Sequence, residues 1–287
     1  MFLFPTPPPP PPPPAADQTR EAMIAILSIA VGALLVLVLS RPKPATPSTE
    51  PMAEAQKSSV RAASNVSPAE LQLLLEYRRS VVPEGYTGAP IPAQHVRAIL
   101  EAAPWAPNHG KTEPWRFVVF GGAAKQTLID ATLAWYSAQP AEFWKSAFVS
   151  AKTGVAEFAD GAAFAAYFLD AGVARWKRAS HLIAICVRRQ RPVAGKKQYP
   201  PWEEDMAVAC SVQNMHLKAT TLKVGAYWSS WYPEYRASRE LVSFLGLDPE
   251  QGDRCLGIFI LGDVAAEKMV SSRATRLPTE EIATTRE

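Results

Sequence analysis

Arg78, Arg79 and Ser80 put two fixed cations and a hydroxyl side by side at the end of a helical pattern. Planar guanidinium forks match the oxygens of a phosphate and stay charged at every physiological pH. Paired arginines at a helix C-terminus also complement the helix dipole, so residue types alone leave both roles open. Downstream, Ala106-Pro107-Asn108-His109-Gly110 forms a polar, proline-containing loop that runs through Thr112-Glu113-Pro114-Trp115 into an apolar stretch. Binding side chains concentrate in loops, and His109 is this loop's titratable member; a solvated loop histidine is the plainer reading. A third group, Trp228-Ser229-Ser230, joins an aromatic ring to two hydroxyls. It offers a surface to pack on and donors beside it, or simply a core tryptophan and strand polarity.

Other chemistries are missing. No Gly-x-Gly-x-x-Gly follows a strand pattern, no phosphate-binding P-loop occurs, and no Gly-x-Ser-x-Gly nucleophile elbow is present. Paired catalytic carboxylates do not stand out. Cys186, Cys210 and Cys255 are far apart in apolar runs, and His95, His109, His181 and His216 have no metal-ligand spacing, so no metal site is expected. Thiols of this kind act as small hydrophobes and suit a reducing compartment. If the chain is an enzyme, a cofactor carries the difficult step. A net charge of +3 is too mild to indicate a nucleic-acid partner.

The elements that must position these groups occupy one part of the chain. Residues 1–21 are a Pro-rich tail whose run Pro7–Pro14 favours an extended polyproline rod, a spacer or a ligand for a Pro-binding groove. Residues 22–40, Ala22 to Ser40, carry no charge. As a helix they would span roughly 28 Å, which fits a single transmembrane anchor. Residues 41–66 read as a flexible linker. A domain over 67–265 begins with Ser67-Pro68-Ala69-Glu70, a capping box with proline at the first helical position. Leu71, Leu74 and Leu75 supply its apolar face. A second helix over Pro92–Ala103, a strand over Trp115–Phe120, a helical aromatic-rich stretch to Ala179 and a strand over His181–Val187 follow. Next come a helix over Glu203–Lys223, apolar nearly all round, a strand over Ala226–Trp231, a helix over Pro233–Leu245 and a strand over Cys255–Leu261. Residues 266–287 form a polar tail, expected to be extended.

In this order, Arg78-Arg79-Ser80, Ala-Pro-Asn-His109, Glu-Pro-Trp115, Tyr199-Pro-Pro-Trp202, Gly225-Ala-Tyr-Trp228 and Cys255-Leu-Gly-Ile-Phe-Ile-Leu-Gly262 resemble the FMN-dependent nitroreductase family, in its compact bacterial branch. The resemblance covers about residues 67 to 263. It implies an α+β fold with a central, mainly antiparallel sheet flanked by helices, working as a homodimer. It further implies FMN as cofactor, NAD(P)H as co-substrate, and nitroaromatics, quinones or related small molecules as acceptors, reduced in a ping-pong cycle. Carried over by position, Arg78, Arg79 and Ser80 would hold the FMN phosphate and ribityl end. His109 would approach the flavin from its loop, and Trp228, Ser229 and Ser230 would pack against or hydrogen-bond it. Tail arginines Arg273 or Arg276 would supplement the phosphate site. A reductive dehalogenase similar to iodotyrosine deiodinase, which shares Thr-Glu-Pro-Trp, and a non-catalytic membrane-tethered scaffold are the alternatives. The charges flanking the apolar segment, Arg41, Lys43 and Lys57 after it against Arg20 before it, put the domain on the cytosolic side.

Overall fold

The computed structural model describes residues 66–140, 143, 158, 160–168, 174–195, 197–270 and 275–286. The expected tail, membrane helix and nearly all of the linker lie outside these residues. Val66 onward forms one compact unit, which begins beside the expected Ser67 start. Among the described residues no helix is long and apolar enough to cross a membrane.

Helix α1 (Pro68–Tyr77) starts as its local chemistry dictates: Ser67 Oγ accepts from the Glu70 N–H, and the Ser67 N–H donates to Glu70 Oε2, both at 3.1 Å. Its expected apolar face is not buried. Leu71, Leu73 and Leu75 are exposed, because periodicity marks a face without saying whether the same chain covers it. Helix α2 (Ala93–Ala102) follows Pro92 and buries Val96 and Ile99. After β1 (Trp115–Gly121) come α3 (Gly122–Ala138), α4 (Gly161–Tyr167) and α5 (Ala174–Arg178). Then follow β2 (His181–Val187), α6 (Pro201–Thr221), β3 (Gly225–Ser229), α7 (Pro233–Ala237), α8 (Arg239–Phe244) and β4 (Arg254–Gly262).

The strands form one antiparallel sheet in the order β1-β2-β4-β3. Alternation divides its side chains between two cores. Trp115, Ile183, Ile185, Phe259 and Ala226 face α2 and α6, while Phe120, Leu182, Ala184, Ile258 and Ile260 face α3, α4, α5, α7 and α8. The architecture is therefore three layers, helices on both faces of the sheet. Tyr136, fully buried, anchors the second core through edge-on contacts with Phe164, Phe168, Tyr232 and Tyr235.

Several boundaries differ from the sequence reading. The helix expected over Pro233–Leu245 is two, because the Ser238 side chain accepts from the Leu241 N–H and starts a new helix. The strand expected to reach Trp231 stops at Ser229, and Trp231 adopts φ 62°, which ends any extended run. The tail is not wholly extended: it contains short helices α9 (Ala266–Val270) and α10 (Thr279–Ile282). Cys186 and Cys255 are buried neighbours across β2 and β4, but Cys210 is exposed on α6.

Candidate functional site

Candidate residues lie near both ends of the α6 helix. At its C-terminal end, Arg78 is the C-cap of α1, and Val81 N–H donates to Ala226 O at 3.0 Å, which ties the Arg-Arg-Ser segment to β3. His216, buried on α6, reaches both arginines. Its Nε2 lies 2.8 Å from the Arg79 carbonyl, and its Nδ1 lies 3.4 Å from Arg78 Nη1. A carbonyl can only accept and a guanidinium can only donate, so Nε2 carries the proton and Nδ1 is the lone pair. Burial, with the Arg78 charge next, pushes the His216 pKa down to about 4, against hydrogen bonds to the Arg79 and Ala226 backbone. The ring also stands edge-on to Phe259 at 5.4 Å.

Arg78 is half-buried and has no carboxylate partner among the described residues. Desolvation lowers its pKa, and repulsion from nearby Arg276 adds to this. A half-buried guanidinium without a carboxylate partner is a donor for an anionic ligand such as a phosphate monoester. Ser80, exposed, follows Arg79. The sequence reading had Arg276 as a supplementary cation; Arg273 lies outside the described residues.

Trp228 on β3 is half-buried and packs with the α2–α6 core. Gly257 makes this end of β3 possible. It sits at the β4 bulge opposite Ile185, and a Cβ there would lie 2.4 Å from Ser229 O and 2.8 Å from Trp228 Nε1. The Ser229 and Ser230 hydroxyls are engaged locally: Ser229 Oγ accepts from Trp231 N–H, and Ser230 Oγ donates to Trp231 O, each at 3.4 Å. Arg236 Nη1 donates to Ser230 O at 2.8 Å and holds the turn.

At the N-terminal end, His109 Nδ1 lies 2.6 Å from Glu203 Oε2, and its ring lies 4.1 Å from that of Tyr199. The loop carrying it is strained: Lys111 and Glu113 adopt φ 54° and 44°. Gly110, at φ 60°, leaves room for the Tyr199 ring, which a Cβ would meet at 2.1 Å. Beside this loop every buried acid is paired. Asp253 takes both Arg191 Nη atoms, at 2.8 and 2.7 Å, and the N–H groups of Arg189 and Asp248. Burial opposes ionisation there, but the Arg191 and backbone hydrogen bonds hold the carboxyl below its usual range. Arg189 Nη2 meets Asp205 at 2.9 Å, its Nη1 lies 3.5 Å from Glu204, and Arg254 also pairs with Asp205.

Glu203 and His216 are separated along α6 by roughly 20 Å at 1.5 Å per residue. One chain thus brings Arg78, Arg79 and Ser80 together and keeps His109 apart from them. Sequence reasoning missed His216 as a member of this group. The available signal was a polar ring placed among Val212, Met215 and Ala219, all on the buried side of α6.

The nitroreductase family model matches residues 75–263. The chain belongs to the nitroreductase family. The fold agrees: a nitroreductase-like protein of Bacillus cereus superposes with a TM-score of 0.54 at 22% identity, over 77% of this chain and 98% of that one. The FMN-dependent nitroreductase of Mycobacterium smegmatis, solved in complex with NADPH, gives 0.53 at 17% identity, over 76% and 98%. A nitroreductase from Bacteroides fragilis with bound FMN gives 0.51 at 20%, over 76% and 99%. A nitrobenzene nitroreductase of Ectopseudomonas oleovorans is 36% identical over 56 residues, 20% of this chain and 25% of that relative's length. This member of the family shares its antiparallel sheet with helices on both faces.

Proposed function

We propose that the chain is an FMN-dependent NAD(P)H oxidoreductase that reduces nitroaromatics, quinones or related acceptors. The carrying observation is Arg78, half-buried, held against His216 and without a carboxylate partner among the described residues, in a member of the nitroreductase family. Its donors fit the phosphate of FMN, and Ser80 beside them fits its ribityl end. Bound there, FMN supplies the hydride and electron transfer between nicotinamide and acceptor. The chain's own residues bind and orient it. Trp228 supplies an apolar surface, and the Trp231 turn held by Ser229, Ser230 and Arg236 shapes the neighbouring wall. No acid or base of the protein is required for nicotinamide to reduce the cofactor, and ping-pong kinetics should result.

The working unit in this reading is a homodimer. One observation supports it. Helix α1 buries none of its residues, and α6 exposes Met206, Cys210 and Gln213 along one side beside the exposed Trp202. Light scattering at micromolar concentration should give twice the monomer mass; a flavin-loaded monomer would refute the dimer. We also propose that residues 22–40 tether the domain to a membrane with the domain on the cytosolic side, from their lack of charge and the Arg41, Lys43 and Lys57 that follow. Glycosylation of an acceptor engineered between residues 41 and 66 would refute that side.

The decisive experiment is the visible spectrum of the purified protein before and after anaerobic NADPH. A yellow protein that bleaches supports the reading. A colourless protein that takes up no FMN on mixing refutes it, and would leave the scaffold alternative.

A further inference from the structure

A cation meant for a ligand faces a conflict. It must be held still, yet the usual partner that holds an arginine is a carboxylate, which would neutralise the charge the ligand needs. Four acidic residues hold arginines elsewhere in this way: Asp253, Asp205, Glu204 and Glu84 are engaged with Arg191, Arg189, Arg254 or Arg175. Arg78 has instead a ring nitrogen. His216 is 6% exposed, sits on α6, and spans the two arginines with opposite edges of one rigid ring.

We infer that His216 is a positioning residue: Nδ1 restrains the Arg78 guanidinium and Nε2–H fixes the Arg79 carbonyl, so that Arg78 presents its remaining N–H groups, undiminished in charge, to a phosphate monoester. This rests on the flavin reading of the same site. The residue type is what the task requires. A neutral acceptor orients the fork without cancelling it; a lysine would repel it, and a carboxylate would compete with the ligand. The ring is kept neutral by the same surroundings, since a second proton at Nδ1 would face the guanidinium directly. Phe259, edge-on to the ring, and the Arg79 carbonyl together fix its plane.

The role predicts an effect confined to the phosphate. FMN and riboflavin share the isoalloxazine and ribityl parts and differ in that group alone. In the full chain, His216→Phe preserves the ring against Phe259 and removes both nitrogens. It should weaken FMN binding about 5- to 30-fold, the loss of one oriented charge-assisted contact, and leave riboflavin binding unchanged. His216→Asn, which returns an amide oxygen near the Nδ1 position, should recover most of that loss. In an Arg78→Ala background, His216→Phe should cost nothing further for FMN. Titrations by flavin fluorescence quenching read all of these. Unchanged FMN affinity in His216→Phe, an equal loss for riboflavin, or an additive double variant would each overturn the inference while leaving the flavin reading intact. A wild-type chain that binds no FMN would overturn both. Should His216→Phe not fold, nitrogen NMR of the wild type decides: the ring at pH 6 should be neutral and protonated at Nε2, and a Nδ1–H tautomer or a cation would refute the role.

Discussion

The two ends of α6 handle charge in opposite ways. At the N-terminal end, Asp253 and Glu204 are buried and each has an arginine within ion-pair range, and exposed His109 meets Glu203. At the C-terminal end, Arg78 rests on a neutral imidazole with Arg276 nearby. A neutralised cluster is an internal fastening; it gains from being closed. An un-neutralised, half-buried cation carries a desolvation cost that an external anion offsets. In the proposed function flavin phosphate occupies the second end, and the contrast says which arginines to test for binding and which for stability.

The largest effect should come from breaking the closed end. Asp253→Ala removes the acceptor for Arg191 and for the backbone N–H groups of Arg189 and Asp248. Loss of one partner from a buried ion pair costs about 3–5 kcal/mol. Urea unfolding should show that loss, while FMN affinity of the molecules still folded stays unchanged. A large loss of affinity with little loss of stability would erase the contrast.

The open end should reveal itself in the pH dependence of stability. His216 holds a second proton only below about 4 when folded, against 6.5 for an ordinary histidine. Between those values the unfolded chain binds more protons, so stability falls as pH falls from about 6.5 to about 4. The full gap corresponds to roughly 3 kcal/mol. Carboxylates titrate in the same range, so the measurement is a difference: His216→Phe should show a shallower decline than wild type. Parallel curves would mean that His216 is not held neutral.

Next in size is the ligand contact itself. In the proposed site Arg78→Ala removes a charge-assisted bond to phosphate, about 1.5–3 kcal/mol, and should weaken FMN binding on the order of 10- to 100-fold. Excess FMN should restore much of the turnover, because in the proposed role Arg78 retains the cofactor and takes no part in the reaction. Full FMN content with lost turnover would move Arg78 out of the phosphate site.

What the sequence made legible follows the reach of each interaction. The Ser67 capping box, the helix over α2 and the strand His181–Val187 are set by neighbours within a few residues, and all were readable. So was the order of motifs that carries the family, since motif order survives without knowing any contact. Tertiary facts were not readable in the same way. Nothing local says that the leucines of α1 stay exposed or that His216 meets residues far away in the chain. The split at Ser238 was missed although its cap is local, because apolar spacing continues across it and outweighed the serine. The separation of His109 from Arg78 became visible only once both were placed along one helix.

The smallest effect tests whether the closed end is equally tight at its rim. His109 and Glu203 are 2.6 Å apart, yet the histidine side chain is 56% exposed and the glutamate 22%. Water screens such a pair, and ordering two side chains opposes the gain, so exposed ion pairs are worth about 0–1 kcal/mol. Glu203→Gln keeps the shape and a hydrogen-bonding oxygen while removing the charge. Its cost to stability should stay under about 1 kcal/mol and vanish in high salt, where surface charges are screened within a few ångströms. Asp253, buried and bidentate, should keep its value in the same salt. If Glu203→Gln costs as much as Asp253→Ala, the His109 loop is fastened like the core beneath it. His109 would then be a structural clamp on the strained Gly110–Glu113 segment, unable to approach a flavin from any chain. If the cost is small and salt-sensitive, the loop is free to exchange Glu203 for a ligand, as a residue serving a shared site must be.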